Sequence, residues 1–216
     1  MRGLYAICDL DFLDARVVDP VRFAEAVLAA KPAALQLRAK HAAPARVLEL
    51  LRALALLCRE HATPLFANDR PDLAAAAKVN GVHVGQEDLP VRQVRAFHSG
   101  MHVGVSTHNL AQLSAALEQR PDYVAFGPIF PTGSKQNPDA TVGVQQLKEA
   151  YGLARRAQIP LVAIGGITVD QLPSLKNDAD CVAVISGLFP VPAPKSETEI
   201  WPAITAIARQ YQVPWE

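Results

Sequence analysis

Short apolar runs alternate with longer amphipathic stretches along the whole chain. The apolar runs predict eight strands, at residues 3–8, 33–37, 64–67, 81–84, 102–105, 123–126, 160–164 and 181–185. Within each run the apolar character is continuous rather than alternating, as in parallel strands that are covered on both faces. A strand buried on both sides is therefore predicted at each position.

The amphipathic stretches predict helices near residues 20–31, 44–61, 70–78, 90–97, 109–119, 144–157, 169–176 and 197–211. In the second of these, Val47, Leu51 and Leu54 recur at helical spacing. Pro20 and Pro44 fall at predicted helix starts, where the missing N–H has no cost. Each predicted strand is thus followed by a predicted helix.

Eight strand–helix repeats in a row predict an α/β fold, the (β/α)8 TIM barrel, rather than an open doubly wound sheet. The 216 residues are enough for one domain with a sizeable core, predicted over residues 1–216. No GxGxxG fingerprint follows the first strand, which argues against a dinucleotide-binding fold.

The overall charge excludes some classes of partner. The 21 basic and 21 acidic residues balance, so no global field would attract nucleic acid or an anionic membrane. Cys8, Cys58 and Cys181 have no CxxC spacing and are predicted to be buried thiols. There is no signal-like segment and no apolar run near membrane-spanning length. We expect a soluble cytoplasmic protein whose phosphate recognition, if any, is local.

Two acidic segments end successive predicted strands. Asn68 and Asp69 follow the third strand, and Asp88 comes shortly after the fourth. Because an unpaired buried charge is costly, carboxylates at such positions are explained if they share a cation. Asp69 and Asp88 would suit magnesium, which takes few carboxylates and completes its shell with water and phosphate oxygens. Each segment on its own is also typical of a helix N-cap.

Basic and small polar residues follow the other predicted strands. Arg38 and Lys40 follow the second strand closely enough to meet a pyrophosphate. His83 ends the fourth strand, Ser106 follows the fifth, and the glycine pair at 165–166 follows the seventh, where backbone amides can approach an anion. All lie at the C-terminal ends of strands, the face on which barrel enzymes carry their chemistry. A core histidine and solvated loop cations are the alternatives. Together these positions predict an enzyme that acts on a phosphorylated substrate.

The loop at 127–135 differs from the helical background. Its hydroxyls at Thr132 and Ser134, its exposed amides and Lys135 are typical of an anion cradle. Its length and Gly133 indicate that it can close over ligands and exclude water. An ordinary surface loop is the alternative interpretation.

In combination these motifs resemble the thiamine phosphate synthase family. The match extends almost from end to end, over LY at 4–5, QLRAK at 36–40, NDR at 68–70, GVHVGQED at 81–88, GVSTHN at 104–109, DYVAFGPIFPT at 122–132, AIGGI at 163–167 and VIS at 184–186. The resemblance implies a (β/α)8 barrel that uses Mg²⁺. It further implies that a pyrimidine pyrophosphate is joined to a thiazole phosphate, or to its carboxylated form, giving thiamine monophosphate and pyrophosphate.

The resemblance also implies roles for individual residues. Contacts to the pyrimidine pyrophosphate are expected from Gln36, Leu37, Arg38, Ala39, Lys40 and Asn68. The thiazole phosphate would be held by Thr132, Ser134, Gly166, Ile185 and Ser186, and the substrate-binding set also includes His83, Gly133 and Gly165. Ser106 and Lys135 would face the pyrophosphate, and Asp69 and Asp88 would bind magnesium. Those expected to be catalytic are Arg38, Lys40, Ser106 and Lys135.

The implied chemistry suits these residue types. Pyrophosphate would leave from an electron-rich benzylic-like carbon, and the thiazole nitrogen would capture the resulting pyrimidine cation. No strong protein nucleophile is needed, so catalysis would depend on positioning and electrostatics.

The sequence departs from the family pattern at two places. Ala39 stands where the family commonly has an acidic residue, so any ion pair that orients Arg38 or Lys40 is expected to be missing. Gly133 and Ser134 replace the usual Pro-Thr, which predicts a more flexible loop. Both changes are expected to affect the rate more than the reaction type.

Two other functions compete with the synthase. A thiazole tautomerase, an isomerase, binds the same thiazole phosphate without magnesium and does not keep the paired acidic site, whereas Asp69 and Asp88 are both present. A non-catalytic thiamine-phosphate-binding protein is the third hypothesis. For the synthase, the expected partners are the two small-molecule substrates, with no nucleic acid and no membrane, and a homo-oligomer is compatible with this interpretation.

Overall fold

Eight parallel strands close into a barrel in which each strand pairs with its sequence neighbours and the last pairs with the first. The computed structural model describes residues 1–133, 140–192 and 196–215. The strands are β1 (Gly3–Asp9), β2 (Ala34–Arg38), β3 (Leu65–Asn68), β4 (Gly81–Val84), β5 (His102–Thr107), β6 (Tyr123–Phe126), β7 (Leu161–Ile164) and β8 (Cys181–Val184). All eight predicted strands and the (β/α)8 barrel are confirmed.

Helices surround the barrel. The α-helices are α1 (Leu10–Asp14), α2 (Pro20–Leu28), α3 (Pro44–Glu60), α4 (Pro71–Ala77), α5 (Val91–Phe97), α6 (Leu110–Glu118), α7 (Gly143–Ala157) and α8 (Glu197–Gln212). Short 3-10 helices span Val169–Ser174, Ser186–Leu188 and Val213–Trp215.

The predicted α-helices differ from the observed elements by more than one residue in three places. The helix predicted at 169–176 is a 3-10 helix that ends at Ser174 and contains Pro173, which has no N–H for a longer helical ladder. The first predicted helix ends at Leu28 rather than at residue 31. The short helix α1 was not predicted. It begins because the Asp9 carboxylate accepts a hydrogen bond from the N–H of Phe12 at 2.9 Å, and it is too short to show a hydrophobic period.

Aromatic rings fill the inside of the barrel. The rings of Tyr5, Phe66 and Tyr123 lie with their centroids 5.4–5.9 Å apart. Glycines on the facing strands leave room for them. A Cβ at Gly81 would lie 2.6 Å from the Phe66 ring, and a Cβ at Gly104 would overlap the ring of Tyr123, its partner across β5 and β6. The barrel is therefore a packed core rather than a pore.

We expect Gly104→Ala to destabilise the protein by about 3 kcal/mol, because the buried Tyr123 ring has nowhere to move. Gly152→Ala is the matched control: the nearest atom to its added Cβ is on the flexible Arg156 side chain at 3.6 Å, and the change should stabilise α7 by about 0.5–1 kcal/mol. Urea unfolding of both variants would measure the difference. An unfolding midpoint for Gly104→Ala equal to that of the wild type would contradict this packing.

Four side chains anchor the N-terminal end of the barrel. Each accepts a hydrogen bond from a backbone N–H at the start of an odd-numbered strand, at 2.8–2.9 Å. The pairs are Gln212 with Leu4, Asn80 with Leu65, Asp122 with Val103, and Asp180 with Leu161. The N-terminal face of such a barrel contributes to stability, and these four hydrogen bonds lie there. The opposite, C-terminal face is the one that carries chemistry.

The three cysteines are free and buried, as predicted. Burial raises the pKa of each thiol well above its ordinary value, so none is a ready nucleophile. Across residues 1–133, 140–192 and 196–215, no helix has the length and apolar character needed to cross a membrane.

Candidate active site

The barrel register brings several predicted site residues to the C-terminal rim. Arg38 and Asn68 are the last residues of β2 and β3, and Ser106 is the penultimate residue of β5. They belong to the strands themselves rather than to the following loops. Since side chains alternate along a strand, Arg38 shares its face with Gln36, whose side chain bonds Tyr5 inside the barrel.

Ion pairs orient two predicted cations, Arg38 at the end of β2 and Lys40 shortly after it. Arg38 donates a hydrogen bond through Nη1 to Oδ2 of Asp9, which is only 4% exposed. The Lys40 Nζ lies 3.5 Å from Oδ2 of Asp69. The expectation that Ala39 leaves Arg38 and Lys40 without an orienting ion pair is therefore wrong, because the partners come from the end of β1 and from the residue after β3. Asp9 was not among the predicted site residues, although it is the last residue of a buried strand, much as Asp69 directly follows one.

The two predicted metal carboxylates meet at the ends of β3 and β4. Asp69 has a left-handed backbone with φ of +62°, and its N–H donates to the His83 carbonyl at 2.8 Å. Oδ2 of Asp88 accepts from the Gly85 N–H at 2.7 Å. These local bonds position the carboxylates beside one another, close enough for a hydrogen bond between them.

The pKa of Asp69 reflects the proximity of the two carboxylates. Burial raises the pKa of Asp69 to about 6, and the hydrogen bond and negative charge of Asp88 add to the rise, while Lys40 opposes it. A carboxylate whose pKa is raised by burial and by a neighbouring carboxylate fits a divalent cation, which would relieve the repulsion.

Helix capping does not explain these carboxylates. The N-cap of α4 is Arg70 and that of α5 is Pro90, and neither helix has a side-chain cap hydrogen bond. The alternative that Asp69 and Asp88 act as N-caps is therefore wrong. Their side chains remain directed at each other instead.

His83 connects the rim to the barrel interior. It is 7% exposed, and its Nε2 lies 2.7 Å from the Ser106 hydroxyl while its Nδ1 lies 2.9 Å from that of Tyr123. Gln36 is buried and donates to the Tyr5 hydroxyl at 3.0 Å. His83 is thus a hydrogen-bonded core histidine that also touches a predicted site residue.

The other residues predicted near β2 and β3 differ in what they can offer. Leu37 packs in the core between barrel and helices, so only its backbone faces the rim. Ala39 and Asn68 are half-buried at the strand ends.

The glycine pair after β7 lies directly against the loop that follows β6. Gly165 and Gly166 have φ values of +102° and +63°, which favour glycine. The Phe130 N–H donates to the Gly165 carbonyl at 3.0 Å, and a Cβ at Gly166 would lie 2.9 Å from the Phe130 carbonyl oxygen. Thr132 comes two residues after Phe130 in this loop. Gly133 has open space around it, and the predicted residues Ser134 and Lys135 lie outside the described residues.

The segment after β8 completes the rim. Ile185 is half-buried and Ser186 begins the short 3-10 helix Ser186–Leu188. Because β8 lies between β7 and β1, these residues neighbour both the glycine pair and Asp9. The strand ends thus place Arg38, Asp69, the glycine pair and Ser186 on one rim.

Comparisons with known proteins agree with this arrangement. The family model described as thiamine monophosphate synthase matches residues 4–188. The thiamine-phosphate synthase of Citrobacter koseri is 40% identical over 174 residues, which are 80% of this chain and 82% of that protein. The counterpart from Synechococcus sp. (strain WH7803) is 42% identical over 178 residues, 82% of this chain, and the chain spans 49% of its length.

The solved structures agree as well. Thiamine phosphate pyrophosphorylase from Pyrococcus furiosus superposes with a TM-score of 0.77 and 27% sequence identity, over 97% of this chain and 96% of that one. At this coverage the likeness extends over the barrel and its rim. The chain is therefore an enzyme of the transferase class and belongs to the thiamine monophosphate synthase family.

Proposed function

We propose that this chain is a thiamine phosphate synthase, which joins a pyrimidine pyrophosphate to a thiazole phosphate and releases pyrophosphate. One observation carries the proposal: in a chain of this family, Asp69 and Asp88 converge beside Lys40 at the rim of the barrel. A paired acidic site next to a cation suits a pyrophosphate that arrives with a metal. It has no use in a reaction that involves the thiazole phosphate alone.

Magnesium fits the donor set at this position. No group of three or more His, Cys, Asp and Glu side chains that could hold a metal occurs within the described ranges. A cation held by Asp69 and Asp88 would therefore draw its remaining ligands from water and substrate oxygens, as magnesium commonly does. When bound, it would neutralise charge on the departing pyrophosphate.

The protein's own groups would share that task. Arg38, held by Asp9, and Lys40, held by Asp69, would accompany the negative charge that gathers on pyrophosphate as its C–O bond breaks. The Ser106 hydroxyl would donate a further hydrogen bond. The bonding electrons leave with pyrophosphate, and the thiazole nitrogen lone pair then forms the new C–N bond, so no protein atom is alkylated.

The second substrate would be held on the other half of the rim. We place its phosphate among Thr132, the glycine pair and Ser186, with Ile185 alongside and with Ser134 and Lys135 as further ligands. The left-handed glycines and the close approach of the β6 loop support this placement, since backbone amides without side chains can approach an anion. The two substrates would then face each other across the mouth of the barrel.

The test is a product assay on the purified protein with both substrates, with magnesium or with EDTA. We expect thiamine monophosphate and pyrophosphate in equal amounts, and only with magnesium. Isomerisation of the thiazole phosphate without metal, and without thiamine monophosphate, would instead identify a tautomerase. Tight binding of thiamine phosphates with no turnover would identify a binding protein. Either result would overturn the proposal.

A further inference from the structure

Five polar side chains form a continuous hydrogen-bonded chain through the inside of the barrel. The chain runs from Gln36 Nε2 to the Tyr5 hydroxyl at 3.0 Å, then to the Tyr123 hydroxyl at 2.7 Å. It continues to Nδ1 of His83 at 2.9 Å and ends with Nε2 of His83 at 2.7 Å from Oγ of Ser106. We call these five residues the interior chain. It connects three predicted site residues, Gln36, His83 and Ser106, through two tyrosines that were not predicted to belong to the site.

Donors and acceptors give the interior chain a direction. The Gln36 amide nitrogen can only donate, so the Tyr5 oxygen accepts. Tyr5 then has one proton to give, and among the described residues its other hydroxyl partner is Tyr123. Because Tyr123 then accepts from Tyr5, its own proton is left for Nδ1 of His83, which lies 2.9 Å away.

That direction determines which nitrogen of His83 carries the proton. A neutral imidazole that accepts at Nδ1 must be protonated at Nε2. Nε2 therefore donates to the Ser106 oxygen, and the Ser106 hydroxyl hydrogen stays available for another acceptor. A serine in this state is a hydrogen-bond donor towards the site.

Burial keeps the interior chain in this state. Tyr5 and Tyr123 are each 1% exposed, and burial raises the pKa of both hydroxyls well above the ordinary value, so both retain their protons. The rings are also packed closely: the His83 ring stacks on that of Tyr123 at 5.5 Å, and the Tyr123 ring occupies the space that a Cβ at Gly104 would fill. If the Tyr5–Tyr123 bond were reversed, the Tyr5 oxygen would accept from both Gln36 and Tyr123, and the buried Tyr5 hydroxyl hydrogen would have no acceptor among the described hydrogen bonds.

We propose that Tyr5 and Tyr123 are positioning residues that hold His83 as its Nε2–H tautomer, so that Ser106 presents its hydroxyl hydrogen to an anionic oxygen at the rim. The identity of that oxygen as pyrophosphate rests on the proposed function. The tautomer itself does not, because it follows from contacts within the protein. No proton is transferred along the interior chain, so its effect is to orient a donor before substrate arrives.

The direct test is the imidazole nitrogen NMR spectrum of His83 in the whole protein, at a pH where the ring carries a single proton. The wild type should show Nδ1 unprotonated and Nε2 protonated. Tyr123→Phe removes the donor to Nδ1 and should shift both nitrogen resonances towards those of a tautomer mixture. Tyr151→Phe, which removes a hydroxyl 3.4 Å from Asp180 at the opposite end of the barrel, should leave the spectrum unchanged. A wild-type His83 protonated at Nδ1 would overturn the proposal, whether or not the protein makes thiamine monophosphate.

Kinetics give a second, independent test. Tyr123→Phe should lower kcat about tenfold and change the KM for the pyrimidine pyrophosphate less than twofold, as expected for loss of a partner that orients another group. Because Tyr123 acts through Ser106, the double variant Tyr123→Phe with Ser106→Ala should be no slower than Ser106→Ala alone. Losses that multiply in the double variant would show that Tyr123 acts by another route and would contradict the proposal.

Discussion

Asp69→Asn and Asp88→Asn are each expected to lower kcat at least about 100-fold, because each removes one of the two carboxylates proposed to hold magnesium. Asparagine is preferred to alanine here. It tolerates the left-handed backbone of Asp69, and it keeps an oxygen that can accept from the Gly85 N–H at position 88. The measurements are steady-state rates across a magnesium titration and calorimetric binding of magnesium with pyrophosphate.

Asp72→Asn provides the matched control for this pair. Asp72 lies three positions after Asp69 in the sequence and forms an exposed ion pair with Arg70 at 2.6 Å. Its kcat should stay within about twofold of the wild type, since exposed pairs contribute little. Near-normal turnover of Asp69→Asn at saturating magnesium would contradict the metal assignment.

The raised pKa of Asp69 predicts that Asp69→Asn increases stability although it lowers activity. Its pKa is about 6 in the folded protein against an ordinary 3.8, so the folded state holds this proton more tightly than the unfolded chain. The stability that comes from this proton is complete below the ordinary value and is lost as the pH rises through 6. Without metal at pH 8, Asp69→Asn should therefore raise the free energy of unfolding by about 1 kcal/mol, a figure reduced for partial exposure and for Lys40. Urea unfolding in EDTA would measure it. A loss of activity with this gain in stability separates the metal role from misfolding.

Arg38→Met is expected to raise the KM for the pyrimidine pyrophosphate, to lower kcat at least about tenfold and to destabilise the fold by about 2–3 kcal/mol. The loss of stability follows because Asp9 is 4% exposed and would keep a charge without its partner. The affinity for the thiazole phosphate should change much less. Separate titrations of the two ligands and urea unfolding would measure these effects.

A second substitution separates the two roles of Arg38. Asp9→Asn removes the carboxylate charge that Arg38→Met leaves unpaired, but it keeps an oxygen that can accept from the Phe12 N–H at the start of α1. The double variant should therefore recover most of the lost stability and none of the lost activity. Arg46→Met, which breaks a fully exposed pair with Asp14, should change neither activity nor the unfolding midpoint. Recovery of activity in the double variant would show that Arg38 serves the fold alone.

Local patterns in the sequence were sufficient for most of the fold. Continuous apolar runs located all eight strands, because strands buried on both faces carry few polar residues. Pro20 and Pro44 marked helix starts, where the proline ring suits the first turn. The errors came where the local signal was weak. The five-residue helix α1 has no period to detect, and Pro173 turned an expected α-helix into a 3-10 helix.

The sequence by itself determined the family, the barrel and the set of polar residues at strand ends, since these depend on short segments and on order along the chain. Only the tertiary structure decided which side chains meet. The packing of the strands into a barrel sets Asp9 on β1 opposite Arg38 on β2, so the two side chains meet across 29 positions. Tyr5 and Tyr123, separated by 118 positions, share a hydrogen bond for the same reason. Which face of each strand points inward depends on how eight strands pack together, and that face decides which residues form the site.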